Sequence, residues 1–341
     1  MSSVLEIKAM ETPLRTMIRV YIKRASEIEL YLSKKPKEWG KFQAEFNTEM
    51  NGIFRNIMNF EKFNLANGNE DKVYKLKQLF VKRFRKTFAR GIYCDWSIRK
   101  PFGYAGDFKI MEDIYENNPI TIGFDRLFDN YFQMSAISVA VRNRKEDFKR
   151  LLINFIQNKQ NSTLRIMNLA SGPCRELREI LPLNNLLYKK VTFDCYDNDE
   201  KALEYSKNLL TNFYNINFIK ANAVKIALKK EISDLINKRY DLIYSTGLLD
   251  YFSDRVAITL IRNLKKVLKP NGLLAISNVR DKYSNPSVHF MEWAGDWNLV
   301  YRDDDTFRQI FIDAGFKEGE FDTQYEQQGI IQYIIAFNKQ K

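Results

Sequence analysis

Cysteine and histidine are scarce in this 341-residue chain: three of the former, Cys94, Cys174 and Cys195, and one of the latter, His289. Scattered singly, they form neither a disulfide framework nor the paired spacing of a zinc site, so no metal is expected. No apolar run reaches the roughly 18 residues that a membrane-spanning helix needs. The opening MSSVLEIKAMETPLR has no apolar signal-peptide core, which makes a cytoplasmic protein the expectation. With 14 glycines and 8 prolines there is no low-complexity linker, and no internal repeat is present. What remains is an ordinary globular composition, 45% hydrophobic and 28% charged, in a chain long enough for two domains.

The charge is unevenly shared. Residues 1–160 hold 29 Lys+Arg against 19 Asp+Glu, net +10, whereas residues 161–341 hold 25 against 23, net +2. A basic excess confined to the first half suits an acidic carrier such as acyl carrier protein or coenzyme A, an anionic membrane surface touched peripherally, or nucleic acid. A solvated lysine-rich surface explains it as simply.

That first half reads as helix almost throughout. Thr12 before Pro13 marks a helix start, with Leu14, Met17, Ile18, Tyr21, Ala25, Ile28 and Leu32 on one face. A second pattern runs from Phe42 through Phe46, Ile53, Ile57 and Phe60 to Asn67 and Gly68. A third, over 70–90, aligns Val73, Leu76, Phe80, Phe84 and Phe88 in a stripe ringed by lysine and arginine, and ends at Gly91. Such a helix could lie on a membrane, or dock its stripe on the domain.

RKPFGYAGD (99–107) is too rich in glycine and aromatics for a helix. It reads as a substrate lid or cofactor contact presenting Tyr104 and Asp107, or as a helix connection with Asp107 as N-cap. A helix from Phe108 to Tyr115 follows. Another, from about 125 to 158, contains VRNRKED, whose Arg142 and Arg144 could clamp a carboxylate or phosphate.

From about residue 160 strands and helices alternate. LRIMNLASGPCRE (164–176) is a short apolar run, a small-residue turn and a helical pattern continued by Leu177, Ile180 and Leu181. In such a strand-turn-helix unit the turn's backbone approaches a ligand at the carboxyl end of the strands. VTFDCYDND (191–199) is a strand ending in acid, about 25 positions after the turn, where nucleotide-binding α/β folds hold ribose hydroxyls. INFIKANAV (216–224) and RYDLIYSTGLLDY (239–251) supply the third and fourth strands. VLKPNGLLAISNV (267–279) is a helix end, a turn and the fifth strand, FRQIFIDAGF (307–316) a helix, and two strands around 318–322 and 330–337 finish the chain.

This order resembles the class I S-adenosylmethionine-dependent methyltransferases, with a KPNG turn before strand five, an AGF turn before strand six, and two last strands with no helix between them. The resemblance implies an α/β fold, a seven-stranded Rossmann-like sheet over 159–341 preceded by an N-terminal all-helical cap and substrate domain over 1–158. It further implies S-adenosyl-L-methionine as cofactor. Asn168, Ala170, Ser171, Gly172, Pro173, Arg175 and Glu176 would wrap the methionine part, and Asp197 with Asn198 would hold the ribose. Asn222 and Ala223 would lie by the adenine, and Ser245, Thr246, Gly247 and Leu248 would close the site. Asn222 stands where an acid is usual and would serve the adenine amino group.

A narrower resemblance, over about 90–341, is to the bacterial family that makes 3-hydroxypalmitic acid methyl ester, a fatty-acid-derived extracellular signal. RKPFGYAGDFKIMEDIY, VRNR, NLASGPCRE, DLIYSTGLLDY and MEWAGDWNLVYR carry it. It implies carboxyl O-methylation of a fatty or 3-hydroxy fatty acid, free or carrier-linked.

The chemistry points weakly the same way. A sulfonium methyl is already activated, so alignment is the main task, and a carboxylate needs no base. A hydroxyl, amine or carbon acceptor more often does, and the candidates are few: His289, Glu292, Asp250 and Asp107. HFMEWAGDWNLVYR (289–302) follows strand five, where Trp293, Trp297 and Tyr301 could wall off water while Arg302, Arg144 or Tyr104 orients an anionic substrate. The tryptophans could equally join the core. Methylation of another small molecule on oxygen, nitrogen or carbon is the alternative. No nucleic acid is expected, because Ser245-Thr246-Gly247-Leu248 lacks the Asn/Asp-Pro-Pro-aromatic signature of exocyclic amino methylation.

Overall fold

The computed structural model describes residues 2–159, 162–183 and 189–339, with side chains from Leu14 onward except Arg83. They form two compact units. One comprises residues up to Ile110, Glu116–Val139 and Tyr283–Asn298; the other comprises Met111–Tyr115, Ala140–Lys282 and the chain from Leu299. Each unit therefore draws on both sides of residue 158.

The first unit is helical: α1 (Ser2–Lys34), α2 (Gln43–Ala66), α3 (Glu70–Arg83), α4 (Arg85–Phe88), α5 (Gly91–Arg99), the start of α6 (Phe108–Glu116), α7 (Gly123–Met134) and the first residues of α8 (Ala136–Asn158). Its core is aromatic. Tyr21 stacks on Phe88 at 4.8 Å, Phe54 meets Phe290 at 5.4 Å and Phe80 meets Trp293 at 5.6 Å, both edge to face. The stripe Val73, Leu76, Phe80 and Phe88 is buried in that core, leaving lysines such as Lys75 and Lys82 to face solvent.

Several local expectations shift. α1 runs through Thr12 and Pro13 instead of starting there. The helix expected over 70–90 breaks at Phe84, whose φ of −120° is not helical, and Gly91 opens α5 instead of ending α3. The helix expected over 125–158 is two, parted at Ser135, whose ψ of 146° ends α7 while its hydroxyl donates to Phe132 O at 2.6 Å.

The second unit is built on seven strands: β1 (Leu164–Leu169), β2 (Val191–Asp197), β3 (Ile216–Lys220), β4 (Tyr240–Ser245), β5 (Leu268–Val279), β6 (Phe321–Tyr325) and β7 (Ile331–Phe337). Their order is β3-β2-β1-β4-β5-β7-β6, parallel except that β7 runs antiparallel to both β5 and β6. This is the seven-stranded Rossmann-like sheet with a reversed final strand that the sequence order implied. The central strands β1 and β4 are buried along nearly their whole length, as strands covered on both faces are, while the edge strand β3 is partly exposed.

Between strands lie α9 (Arg175–Ile180), α10 (Glu200–Leu209), α11 (Ala223–Leu228), α12 (Asp254–Lys266) and α13 (Asp304–Asp313). α12 buries Ala257, Leu260, Ile261 and Leu264, the larger of which contribute roughly 1.5–3 kcal/mol each. The KPNG segment is the bulged start of β5, not a turn before it: Asn271 takes φ 58°, and the register to β4 slips between Tyr240 and Leu242. β6 begins at Phe321, not 318, because Lys317–Glu320 is a turn with Gly319 at φ 81°. No helix among the described residues is long and apolar enough to cross a membrane.

Candidate functional site

Strand β1 ends at Leu169 and α9 starts at Arg175, so the chain must reverse over Ala170–Cys174. It does so with left-handed backbone at Ala170 (φ 56°), Gly172 (φ 50°) and Cys174 (φ 48°). For the two non-glycines that conformation costs about 1 kcal/mol or more each. The neighbouring strand and the helix after it hold the turn in place. Ser171 N donates to Tyr196 O at 3.0 Å, Gly172 N donates to Asp197 Oδ2 at 2.8 Å, and Gly172 O accepts from Ser206 Oγ at 2.9 Å.

Asp197 sits at the carboxyl end of β2. Burial raises its carboxyl, and the amides of Asp199, Gly172 and Asn198 pull it back. Each oxygen has a spare lone pair for a diol hydroxyl. The Ser171 hydroxyl is buried without a partner, and a side chain at Gly172 would meet nothing within 4 Å. An orphaned hydroxyl, an open backbone and a half-buried carboxylate fit the methionine and ribose parts of S-adenosylmethionine.

Other expected cofactor residues are partly committed. Asn222 Oδ1 accepts the Val224 and Lys225 amides at 2.8 and 3.1 Å, capping α11. Its remaining hydrogen-bonding groups are N–H donors, which suit an adenine ring nitrogen and not the amino group expected from sequence. Ser245 Oγ donates to Leu169 O at 2.7 Å and so ties the ends of β4 and β1. Arg175 turns away into ion pairs with Glu179 (2.7 Å) and Glu112 (2.6 Å). Ala223 and Asn168 are buried, and Asn198 is exposed.

Arg144 is 3% exposed, with Nε unpartnered. A methyl group at Gly247, two residues past β4, would stand 3.1 Å from Arg144 Nη1, and Gly247 itself has φ 133°. Burial pushes the Tyr115 phenol up, and the same guanidinium opposes the shift. Glu176 and Asp250 also feel its charge: burial pushes both carboxyls up, and Arg144 opposes the shift. Asp250 Oδ1 accepts Asn278 Nδ2 at 2.9 Å and Val279 N at 2.7 Å.

The remaining catalytic candidates divide between the units. Arg302, expected to orient substrate, is fully buried and structural: it donates to Asp254 Oδ1 and Leu249 O, both at 2.9 Å, and to Asn278 Oδ1 and Phe252 O. Tyr301 lies beside it in the sheet unit. Tyr104, Asp107, His289, Glu292 and Trp297 belong to the helical unit. Asp107 is the α6 N-cap, accepting Lys109 N and Ile110 N at 3.0 Å on Oδ1 and Trp96 Nε1 at 2.8 Å on Oδ2. His289 Nε2 faces Glu61 at 3.3 Å, and Glu292 faces Lys77 at 3.5 Å. Trp293 is core, and the segment around it forms a single π-helical turn, Phe290–Ala294. Tyr104 is 40% exposed.

Sequence reading missed Glu112 and Tyr115. Both stand in the MEDIY stretch directly after the glycine-aromatic loop, and the helical pattern alone gave them no partner. Among the described residues no group of three or more His, Cys, Asp and Glu could hold a metal.

A family model described as "Methyltransferase domain" matches residues 160–338, a little over half the chain. No curated protein matches. Among solved structures, a possible exported protein from Bordetella parapertussis is similar at 18% identity, covering 68% of this chain and 79% of that one, with a TM-score of 0.53. The N-methyltransferase NodS of Bradyrhizobium japonicum bound to S-adenosyl-L-homocysteine follows at 13% identity, 58% and 88% coverage, TM-score 0.39. An O-methyltransferase family protein from Burkholderia thailandensis is similar at 16% identity, 61% and 62% coverage, TM-score 0.40. At these identities the likeness concerns the fold.

Proposed function

The chain belongs to the methyltransferase domain family, whose methyl donor is S-adenosylmethionine, and on that premise we propose that it methylates the carboxylate of a small apolar-tailed acid, a fatty or 3-hydroxy fatty acid, to its methyl ester. The observation that carries this reading is Arg144: a guanidinium 3% exposed, with an unpartnered Nε, beside the backbone of Gly247 at the carboxyl end of β4. A buried guanidinium with an N–H to spare is suited to holding a carboxylate. The likeness of RKPFGYAGDFKIMEDIY, VRNR and MEWAGDWNLVYR to the extracellular-factor family supports the same acceptor.

When bound, the cofactor supplies an electrophilic methyl group. The chain's residues do the rest. Asp197 and the Ala170–Cys174 turn hold the ribose and methionine ends, and Arg144 fixes one acceptor oxygen so that the other faces the methyl. No proton has to be removed from an ionised acid.

Asp250 favours a second reading. It is buried, and that burial holds its carboxyl above the ordinary value against the opposing charge of Arg144, which suits it to take a proton from a hydroxyl or amine acceptor. The variant Arg144→Gln separates the two. The first reading expects KM for an acid acceptor to rise at least tenfold, as for a lost charge-assisted hydrogen bond, with affinity for S-adenosylhomocysteine unchanged. An unchanged KM would favour the second.

A further inference from the structure

We infer that Glu112, in the last two turns of α6, is a positioning residue for the cofactor turn. It acts by clamping the helix that follows the turn. Glu112 is 2% exposed, and its Oε1 accepts from Arg175 Nη1 at 2.6 Å and Arg178 Nη1 at 2.8 Å. Those arginines stand at the first and fourth positions of α9, which begins directly after Cys174.

α9 needs an outside restraint. Six residues cannot sustain a helix alone, its N-cap Cys174 makes no side-chain cap, and the turn before it carries left-handed backbone at Ala170 and Cys174. Residues under such local strain persist only where the surroundings over-determine them. On the side of the turn, Asp197 and Tyr196 supply the restraint. On the side of α9, Glu112 and Glu179 do: Glu179 takes Arg175, Lys145 and Lys149 at 2.7, 2.7 and 2.5 Å. Of these two acids only Glu112 holds Arg178.

The Met111–Tyr115 segment is further tied to the sheet unit by Arg142 Nη1 donating to Ile114 O at 3.3 Å. A single turn of helix, itself held by Arg142, thus restrains α9 through Glu112. The glycine-aromatic loop of the sequence leads straight into it.

The inference rests on cofactor binding by this family and is independent of the acceptor. Its test is calorimetric titration of the full chain with S-adenosylhomocysteine. Glu112→Gln keeps the shape and loses the charge, and should raise Kd about tenfold, the scale of one charge-assisted hydrogen bond. Backbone amide exchange should quicken over 171–178 and stay unchanged in β4 and β5, which general destabilisation would not produce. In an Arg175→Gln/Arg178→Gln background the same substitution should add nothing. Glu146→Gln, which removes an exposed partner of Lys145 and Lys149, is the control and should leave Kd unchanged. Should Glu112→Gln not fold, Arg178→Gln alone removes one arm of the clamp and should raise Kd measurably. A Kd within twofold of wild type in the folded variant overturns the inference, while absence of binding by the wild-type chain would instead overturn the cofactor assignment.

Discussion

The backbone N–H of Gly172 donates to Asp197 Oδ2 at 2.8 Å, so the carboxylate proposed to hold a ribose also holds the turn in front of it. On the proposed function, binding and shaping share one side chain, and Asp197→Ala removes the ribose contact and loosens the turn together. Two charge-assisted hydrogen bonds at roughly 1.5–3 kcal/mol each predict a loss of S-adenosylhomocysteine affinity of at least about 100-fold by calorimetry. Unchanged affinity would mean that the ribose is held elsewhere.

Gly247→Ala should be more damaging to turnover than its size suggests. The added methyl meets Arg144 Nη1 at 3.1 Å, and φ 133° disfavours any side chain. Steady-state kinetics should show KM for the acceptor rising together with a fall in kcat. Equal kinetics would mean that Arg144 can move aside without cost.

Arg302 should behave as a fold residue. Arg302→Met leaves the buried Leu249 O and Asn278 Oδ1 and the part-buried Phe252 O without their donor, at about 1–3 kcal/mol for each buried acceptor left unsatisfied. The urea midpoint should drop by an amount equivalent to about 2 kcal/mol or more, and Arg302→Lys should not restore it, since a single ammonium cannot span the same fork. Full stability with a selective rise in acceptor KM would return Arg302 to the substrate.

The strand, turn and helix of LRIMNLASGPCRE came through as β1, the turn and α9 because every cue there is local: apolar run, small residues, helical spacing. The same holds for Asp197 at the end of β2 and for the antiparallel final pair. Arg302 was misread because its four acceptors come from the segments 249–254 and 278, partners that no local pattern names. Trp293 was read both as a water-excluding wall and as core, and its partner Phe80 lies more than two hundred positions earlier. Ser135 breaks a helix in the middle of a good helical pattern, since its hydroxyl bonds the backbone of the preceding turn. The Glu112 clamp escaped notice for the first of these reasons: an acid on a short helix says nothing about which arginines it will meet.

Glu179 gives the stability curve an acid limb. Burial raises its carboxyl, but Arg175, Lys145 and Lys149 outweigh that and bring it down to about 2, below the ordinary 4.5. A folded value below the unfolded one means the contribution is complete above the unfolded pKa and fades as pH falls toward about 2. Urea unfolding measured at a series of pH values should therefore show stability falling across that window, less steeply in Glu179→Gln. A steeper fall in the variant would contradict the ion-pair account.

The central claim, methyl transfer to an acid, is tested most directly by incubating the protein with methyl-labelled S-adenosylmethionine and a series of fatty and 3-hydroxy fatty acids, then identifying the labelled product by mass spectrometry. The account predicts a labelled methyl ester, formed with an efficiency that rises with chain length by up to about 0.8 kcal/mol per buried methylene until the site is full. No labelled ester at any length, with label appearing on an amine or a phenol, would contradict it.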